Sequence, residues 1–152
     1  MKKTNKQFLP VLALVLLITG FTSCKKYDEG GIISKTEQNL KTEWRLVKYL
    51  KNGIDKTSTL LISNYKESYA DNGIYSRSYT DKNGSPVSDD GSWKFNEGEK
   101  KLLISDISSM EITLESGTVS SSYYNILKLD KNEYWYFFTN GGDKHEFRLV
   151  KN

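Results

Sequence analysis

From Trp44 onward the chain alternates polar and apolar positions in short runs, and a turn signal interrupts it every few residues. The signals are Asn52-Gly53, Asp71-Asn72-Gly73, Asn83-Gly84, Glu97-Gly98, Ser116-Gly117, Asp130-Lys131-Asn132 and Asn140-Gly141-Gly142-Asp143. Between them lie residues 43–50, 65–70, 74–80, 91–96, 101–105, 111–115, 122–130, 133–139 and 144–151, rich in the β-branched and aromatic types that fit a pleated, half-buried surface. A period of two assigns an inward set: Trp44 and Leu46, Tyr65 and Tyr69, Tyr75 and Tyr79, Trp93 and Phe95, Leu102 and Ile104, Ile112 and Leu114, Tyr124 and Ile126, Trp135 and Phe137, Phe147 and Leu149. Alternates such as Lys66, Ser68, Ser76, Ser78, Lys94 and Thr113 then face water. The run 133–139 is aromatic on both parities, so this choice leaves Tyr136 and Phe138 outside, covered by another segment or a partner, or exposed. Helical periodicity is nearly absent, and Leu60-Leu61-Ile62 is too short to separate a strand from a helical turn.

Eight or nine sequential strands joined by hairpin-length turns predict an all-β, up-and-down antiparallel meander that closes into a small barrel. A sandwich needs longer crossings between its sheets, and closure removes exposed strand edges.

The segment before residue 42 has a different pattern. Lys2, Lys3 and Lys6 precede an uncharged run from Phe8 to Ile18, the n-region and h-region of a secretory signal. That run is shorter than the roughly 20 apolar residues a membrane-crossing helix needs. Thr19, Gly20, Thr22 and Ser23 are small residues suited to a processing site, and Cys24, the only cysteine, follows them. Lys25, Lys26, Asp28, Glu29, Gly30 and Gly31 surround it with polar, flexible chain, a poor setting for a buried core thiol. The organisation predicted is a leader over 1–23, a flexible tether over 24–41 and a barrel domain over 42–152. Ser34-Lys35-Thr36-Glu37 has capping-box spacing and Leu40 lies beyond it, so a short helical lead-in precedes the first strand.

Phe21-Thr22-Ser23-Cys24 resembles a bacterial lipobox. The resemblance implies that the Cys24 sulfur carries a diacylglyceryl group, that the leader is cut before Cys24, and that the new amine is acylated. Several acyl chains together anchor a protein stably where one alone is marginal. The implied home is the cell envelope, on the outer membrane, with the membrane as a partner through Cys24.

Charge adds little once the leader is set aside. The 22 Lys+Arg against 19 Asp+Glu include the three leader lysines, so the remaining chain is balanced and carries no basic stripe for nucleic acid. A single thiol leaves no internal disulfide, so burial alone holds the fold.

Candidate chemistry is sparse. His145 is the only histidine, at the start of the last strand and in parity with Phe147 and Leu149. No Gly-x-Ser-x-Gly turn and no free mature thiol accompany it, so no catalytic residue is assigned and an enzyme is not expected. One histidine without cysteines does not suit a zinc site, and Asp81-Lys82-Asn83-Gly84 with Asp89-Asp90-Gly91 lacks the calcium-loop register. Neither a metal nor a cofactor is expected.

The distinctive resource is aromatic. Tyr69, Tyr75, Tyr79, Trp93, Phe95, Tyr124 and Trp135 share the inward parity and are the candidate lining of an amphipathic pocket. An eight-stranded barrel is just wide enough to fill with side chains or to hold one small ligand, so both outcomes stay open.

Trp44-Arg45-Leu46, Gly91-Ser92-Trp93, and Ile126-Leu127-Lys128-Leu129 followed by Tyr134-Trp135-Tyr136 give the domain a resemblance to the lipocalin-like lipoproteins of Gram-negative bacteria. The resemblance implies non-catalytic binding of a small apolar or amphipathic molecule. It also implies that a basic residue of the last strand, Arg148, covers Trp44. The alternative is a filled barrel that serves an envelope protein or glycan-handling assembly as an interaction module, through outward Tyr136 and Phe138.

Overall fold

The computed structural model describes residues 35–152, apart from positions 97, 99, 108, 110 and 116. The leader, Cys24 and the tether up to residue 34 lie outside the described residues. The elements are helix α1 (Lys35–Leu40) and strands β1 (Glu43–Lys51), β2 (Ile54–Asp55), β3 (Ser63–Tyr69), β4 (Ile74–Thr80), β5 (Pro86–Asn96), β6 (Lys101–Ser105), β7 (Glu111–Thr113), β8 (Thr118–Ser120), β9 (Tyr123–Leu129), β10 (Glu133–Asn140) and β11 (Asp143–Lys151). Eight strands pair antiparallel in the order β1-β3-β4-β5-β6-β9-β10-β11, and β11 pairs back onto β1, closing the barrel. The short β2 extends the tip of β1, and β7 with β8 form a separate two-stranded hairpin between β6 and β9.

β4 and β6 have the predicted boundaries, while β5 begins at Pro86 rather than residue 91. Its partner β4 runs to Thr80, which pairs with Pro86, and a proline costs little as the first residue of a strand. The ambiguous stretch before β3 resolves into a 3-10 turn at Thr57–Thr59 and a buried Ile62. Gly91 answers a steric demand. A Cβ there would lie 2.6 Å from the Ser105 carbonyl oxygen and 2.9 Å from Ile107 Cβ, so only glycine admits this approach of β5 to the end of β6.

Two irregularities decide which side chains face inward. In β1 the register shifts between Leu46 and Lys48; Trp44 is buried before the shift and Tyr49 after it, while Val47 stays exposed. In β10 the inward residues are Tyr134, Tyr136 and Phe138, and Trp135 and Phe137 lie on the outer face, the reverse of the predicted parity. The cause is the pairing with β11. Directly opposed residues share a face, and Tyr134, Tyr136 and Phe138 stand opposite Leu149, Phe147 and His145, all buried. With both parities aromatic, the periodicity of β10 alone held no such information.

The two ends are closed differently. At one end Leu40 of α1 is fully buried in the core, and its carbonyl accepts the Trp44 Nε1–H at 2.9 Å. Residues 35–40, assigned to the tether, are therefore a structured lead-in to the barrel. At the other end Ile112, Leu114 and Val119 of the β7–β8 hairpin join the core. The hairpin reaches the rim at separate points: Leu61 N–H donates to the Leu114 carbonyl at 3.2 Å, and Asn140 Nδ2 donates to the Ser120 carbonyl at 3.2 Å.

Candidate functional site

The lumen is built around a carboxylate. β3 alternates Tyr65, Glu67 and Tyr69 toward the interior, so Glu67 is carried inside between two tyrosines and is 1% exposed. It accepts hydrogen bonds from the Tyr65, Tyr69 and Tyr136 hydroxyls at 2.5, 2.6 and 2.7 Å, and a longer one from Tyr75 at 3.4 Å. Burial raises the Glu67 pKa above the usual carboxylate value, while the phenol hydrogen bonds and the nearby Arg77 charge pull it back. The tyrosines are pushed far above their ordinary pKa, by burial first and then by the Glu67 charge, so they act as fixed hydrogen-bond donors rather than acids. Tyr124 stacks on Tyr136 with ring centroids 4.3 Å apart, and Tyr136 stacks on Phe147 at 5.2 Å. Tyr69, Tyr75, Tyr134, Tyr136, Phe147 and Leu149 are each at most 2% exposed. This half of the barrel is filled by its own strands, with Leu40 of α1 at the end.

Nearer the hairpin the lumen holds a second charge. Arg77 of β4 pairs across strands with Asp89 of β5, and the two meet at 2.6 Å, both buried. The same guanidinium nitrogen donates to the Ser109 and Glu111 carbonyls at 2.9 and 3.3 Å, and its carbon lies 5.7 Å from the Tyr79 ring centroid. Across the mouth, the Tyr49 hydroxyl meets His145 Nδ1 at 2.7 Å. Burial pushes the Tyr49 pKa up to about 12 and lowers that of His145, so the phenol donates and a neutral imidazole accepts. A cleft of about 190 Å³ lies here, lined by Tyr49, His145, Leu114, Val119, Asn140 and Asp143 among others. A second, also about 190 Å³, opens among Leu61, Ile62, Tyr79, Asp81, Lys82, Val87 and Thr113.

The predicted site residues separate into three groups. Tyr69, Tyr75, Tyr124 and Trp93 are buried in the lumen. Tyr79 is half-buried at the mouth, stacked on Tyr65, and Phe95 is half-buried beside Trp93. Trp135 does not line the lumen: it lies outside, with Arg148 4.3 Å and Lys128 4.9 Å from its ring centroid. The expected cover of Trp44 by Arg148 is corrected with it. Arg148 stands opposite Trp135 on the outer face, whereas Trp44 points inward and packs against Tyr134. Tyr136 and Phe138, expected outside, are inside. Cys24 lies outside the described residues.

Glu67, Arg77 and Asp89 were not among the sequence candidates. The signal for the first two was present, since each sits midway between inward tyrosines of its strand. Asp89 carried none, because it fell in a presumed loop. Asp81, by contrast, stays in its turn and accepts the Asn83 and Ser85 N–H groups, each at 2.8 Å. Among the described residues no three His, Cys, Asp or Glu side chains converge as a metal site requires.

An eight-stranded antiparallel up-and-down barrel, closed by β1 on β11 and entered through a short helix, defines a lipocalin-like fold. No protein-family model matches the chain, and no curated protein matches it. Among solved structures it is similar to a lipocalin-like protein from Bacteroides uniformis, with 14% identity and a TM-score of 0.48 over 72% of this chain and 97% of that one. It is also similar to an uncharacterized protein from Bacteroides eggerthii, with 12% identity and a TM-score of 0.45 over 74% of this chain and 99% of that one. Lobster apocrustacyanin A1 is similar at 16% identity and a TM-score of 0.43, over 76% of this chain; the chain spans 62% of that protein's length.

Proposed function

We propose that the protein is a lipoprotein of the bacterial cell envelope whose barrel binds a small apolar or amphipathic molecule without catalysis. In this reading the leader 1–23 is removed, Cys24 is acylated, and the tether holds the barrel at the outer membrane. The observation that carries the binding role is the division of the lumen. The α1 half is filled mainly by side chains of the barrel strands, which cannot leave without unfolding it, with Leu40 of α1 capping them. The other half is filled partly by Ile112, Leu114 and Val119, which belong to an added hairpin with its own small sheet.

Native mass spectrometry of the protein purified from its host envelope tests this. A co-purifying mass that organic solvent removes is expected, and a bare protein mass overturns the binding reading. The anchor is tested separately by Cys24→Ala, which is expected to shift the protein out of the membrane fraction or leave the leader attached. Unchanged fractionation overturns lipidation.

The filled α1 half favours one second reading, an interaction module acting through its outer surface. Its outward aromatics are then Trp135 and Phe137, not the predicted Tyr136 and Phe138. A bare mass together with a specific envelope cross-link from the β10 face would support it.

A further inference from the structure

Arg77 is a buried charge beneath the hairpin. It is 2% exposed, and its Nε has no hydrogen-bond partner among the described residues. The Asp89 carboxylate balances its charge at 2.6 Å. Its other described hydrogen-bond partners are two peptide carbonyls, those of Ser109 and Glu111, which lead into and begin the hairpin. If the hairpin moves away, Arg77 therefore loses neutral acceptors and keeps its counter-charge.

The hairpin is placed to move. It pairs with itself rather than with the barrel sheet. Its described ties to the rim are few: the Leu61–Leu114 and Asn140–Ser120 hydrogen bonds, the Arg77 bonds, and Glu115, which accepts from Thr59 Oγ1 at 2.6 Å and pairs with Lys56 at 3.7 Å. A cleft of about 190 Å³ lines each side of it, involving Leu114 and Val119 on one and Thr113 on the other. Small-molecule sites usually occupy roughly 300–1,000 Å³, so neither cleft suffices alone. Withdrawal of Ile112, Leu114 and Val119 would add the core volume these side chains fill to the two clefts beside them.

We infer that the β7–β8 hairpin is a lid, and that the mouth beneath it takes a neutral amphiphile with a carbonyl-type acceptor, such as an acyl amide or ester. The acceptor replaces the Ser109 and Glu111 carbonyls on Arg77, and the apolar tail replaces Ile112, Leu114 and Val119. A free acid is disfavoured, because its carboxylate would bring a second anion beside Asp89 where desolvated, uncompensated charge is costly. This inference rests on the binding reading above and names the ligand class of the same site.

The test uses the whole chain carrying Cys24→Ser, Thr59→Cys and Glu115→Cys, with the two new thiols joined by a short reducible cross-linker. The probes are dansylaminoundecanoic acid and its primary amide, read by fluorescence. The amide is expected to bind the reduced protein and to lose about tenfold or more in affinity when the linker is in place, the scale of one lost charge-assisted hydrogen bond or more. It is expected to bind the reduced protein better than the acid, and Asp89→Asn is expected to reverse that preference. The linker comparison leaves Arg77 and Asp89 intact, so it stands even if Asp89→Asn fails to fold. Equal amide binding with the linker closed and open overturns the lid while the binding reading survives. An acid that binds more tightly than the amide overturns the neutral-head assignment. Failure of both probes on the reduced protein, with a bare mass from the host, overturns lid and binding together.

Discussion

The two ends of this barrel are closed by opposite means. At the α1 end one carboxylate collects four phenol donors from β3, β4 and β10, so the packing is tied together by directional bonds that span the barrel. At the hairpin end part of the apolar fill comes from outside the barrel sheet and is held by a few hydrogen bonds and one ion pair around the rim. Filling by itself therefore does not make a barrel inert. What matters is whether the filling side chains belong to elements that can leave.

The comparison can be broken most severely at Glu67. Glu67→Leu leaves buried phenol donors without an acceptor and is expected to cost about 3–5 kcal/mol in urea unfolding, whereas Glu67→Gln, which keeps an acceptor, costs less. Equal losses for the two would mean that shape, not hydrogen bonding, holds the α1 end. Leu40→Ala opens a cavity under the lead-in helix and is expected to cost about 2–5 kcal/mol. Val119→Ala at the hairpin is expected to cost only about 1–2 kcal/mol, from the methyl groups removed. A larger loss at Val119 than at Leu40 would reverse the ranking of the two ends. Hydrogen exchange sharpens the same contrast, with the β7–β8 amides expected to exchange well before those of β10 and β11.

Acid should act on the two ends in opposite directions. The folded pKa of Glu67 is raised, so the folded state takes up a proton first; its contribution is fully present below the unfolded value near 4.5 and is lost as pH rises through the folded value. His145 is lowered from 6.5, so the unfolded state takes up the proton first. Its contribution is present above 6.5 and is lost as pH falls through the folded value. Unfolding curves between pH 7 and 4 are expected to show a smaller acid gain in Glu67→Gln and a smaller acid loss in His145→Gln. Identical pH profiles for wild type and both variants would remove this linkage.

Much of the fold was legible because a strand with one polar face reveals its orientation. β3 and β4 alternate tyrosine with serine or lysine, and their inward tyrosines lie where the period places them. Two things were illegible for definite reasons. β10 offers aromatics on both parities, so only its register against Phe147 and Leu149 selects the inner set. The Val47 region of β1 changes parity at a bulge, which turns Tyr49 inward after a break that no periodicity reports. The candidate lining was legible as a list of tyrosines but not as a site, because its organising groups, Glu67 and Arg77, are residues that composition places at the surface.

Local chain chemistry by itself determined most of the strands, their turns and the lead-in ending at Leu40. Each depends on residues close in sequence or on the bare alternation of a pleated strand. Tertiary structure alone decided that Glu67 gathers hydroxyls from three strands, that Arg77 finds Asp89 beneath a hairpin, and that Arg148 covers Trp135 rather than Trp44. Those pairings join residues far apart along the chain. A charge can be buried only when it is paired or hydrogen-bonded, and for Glu67 and Arg77 part of that pairing comes from other strands.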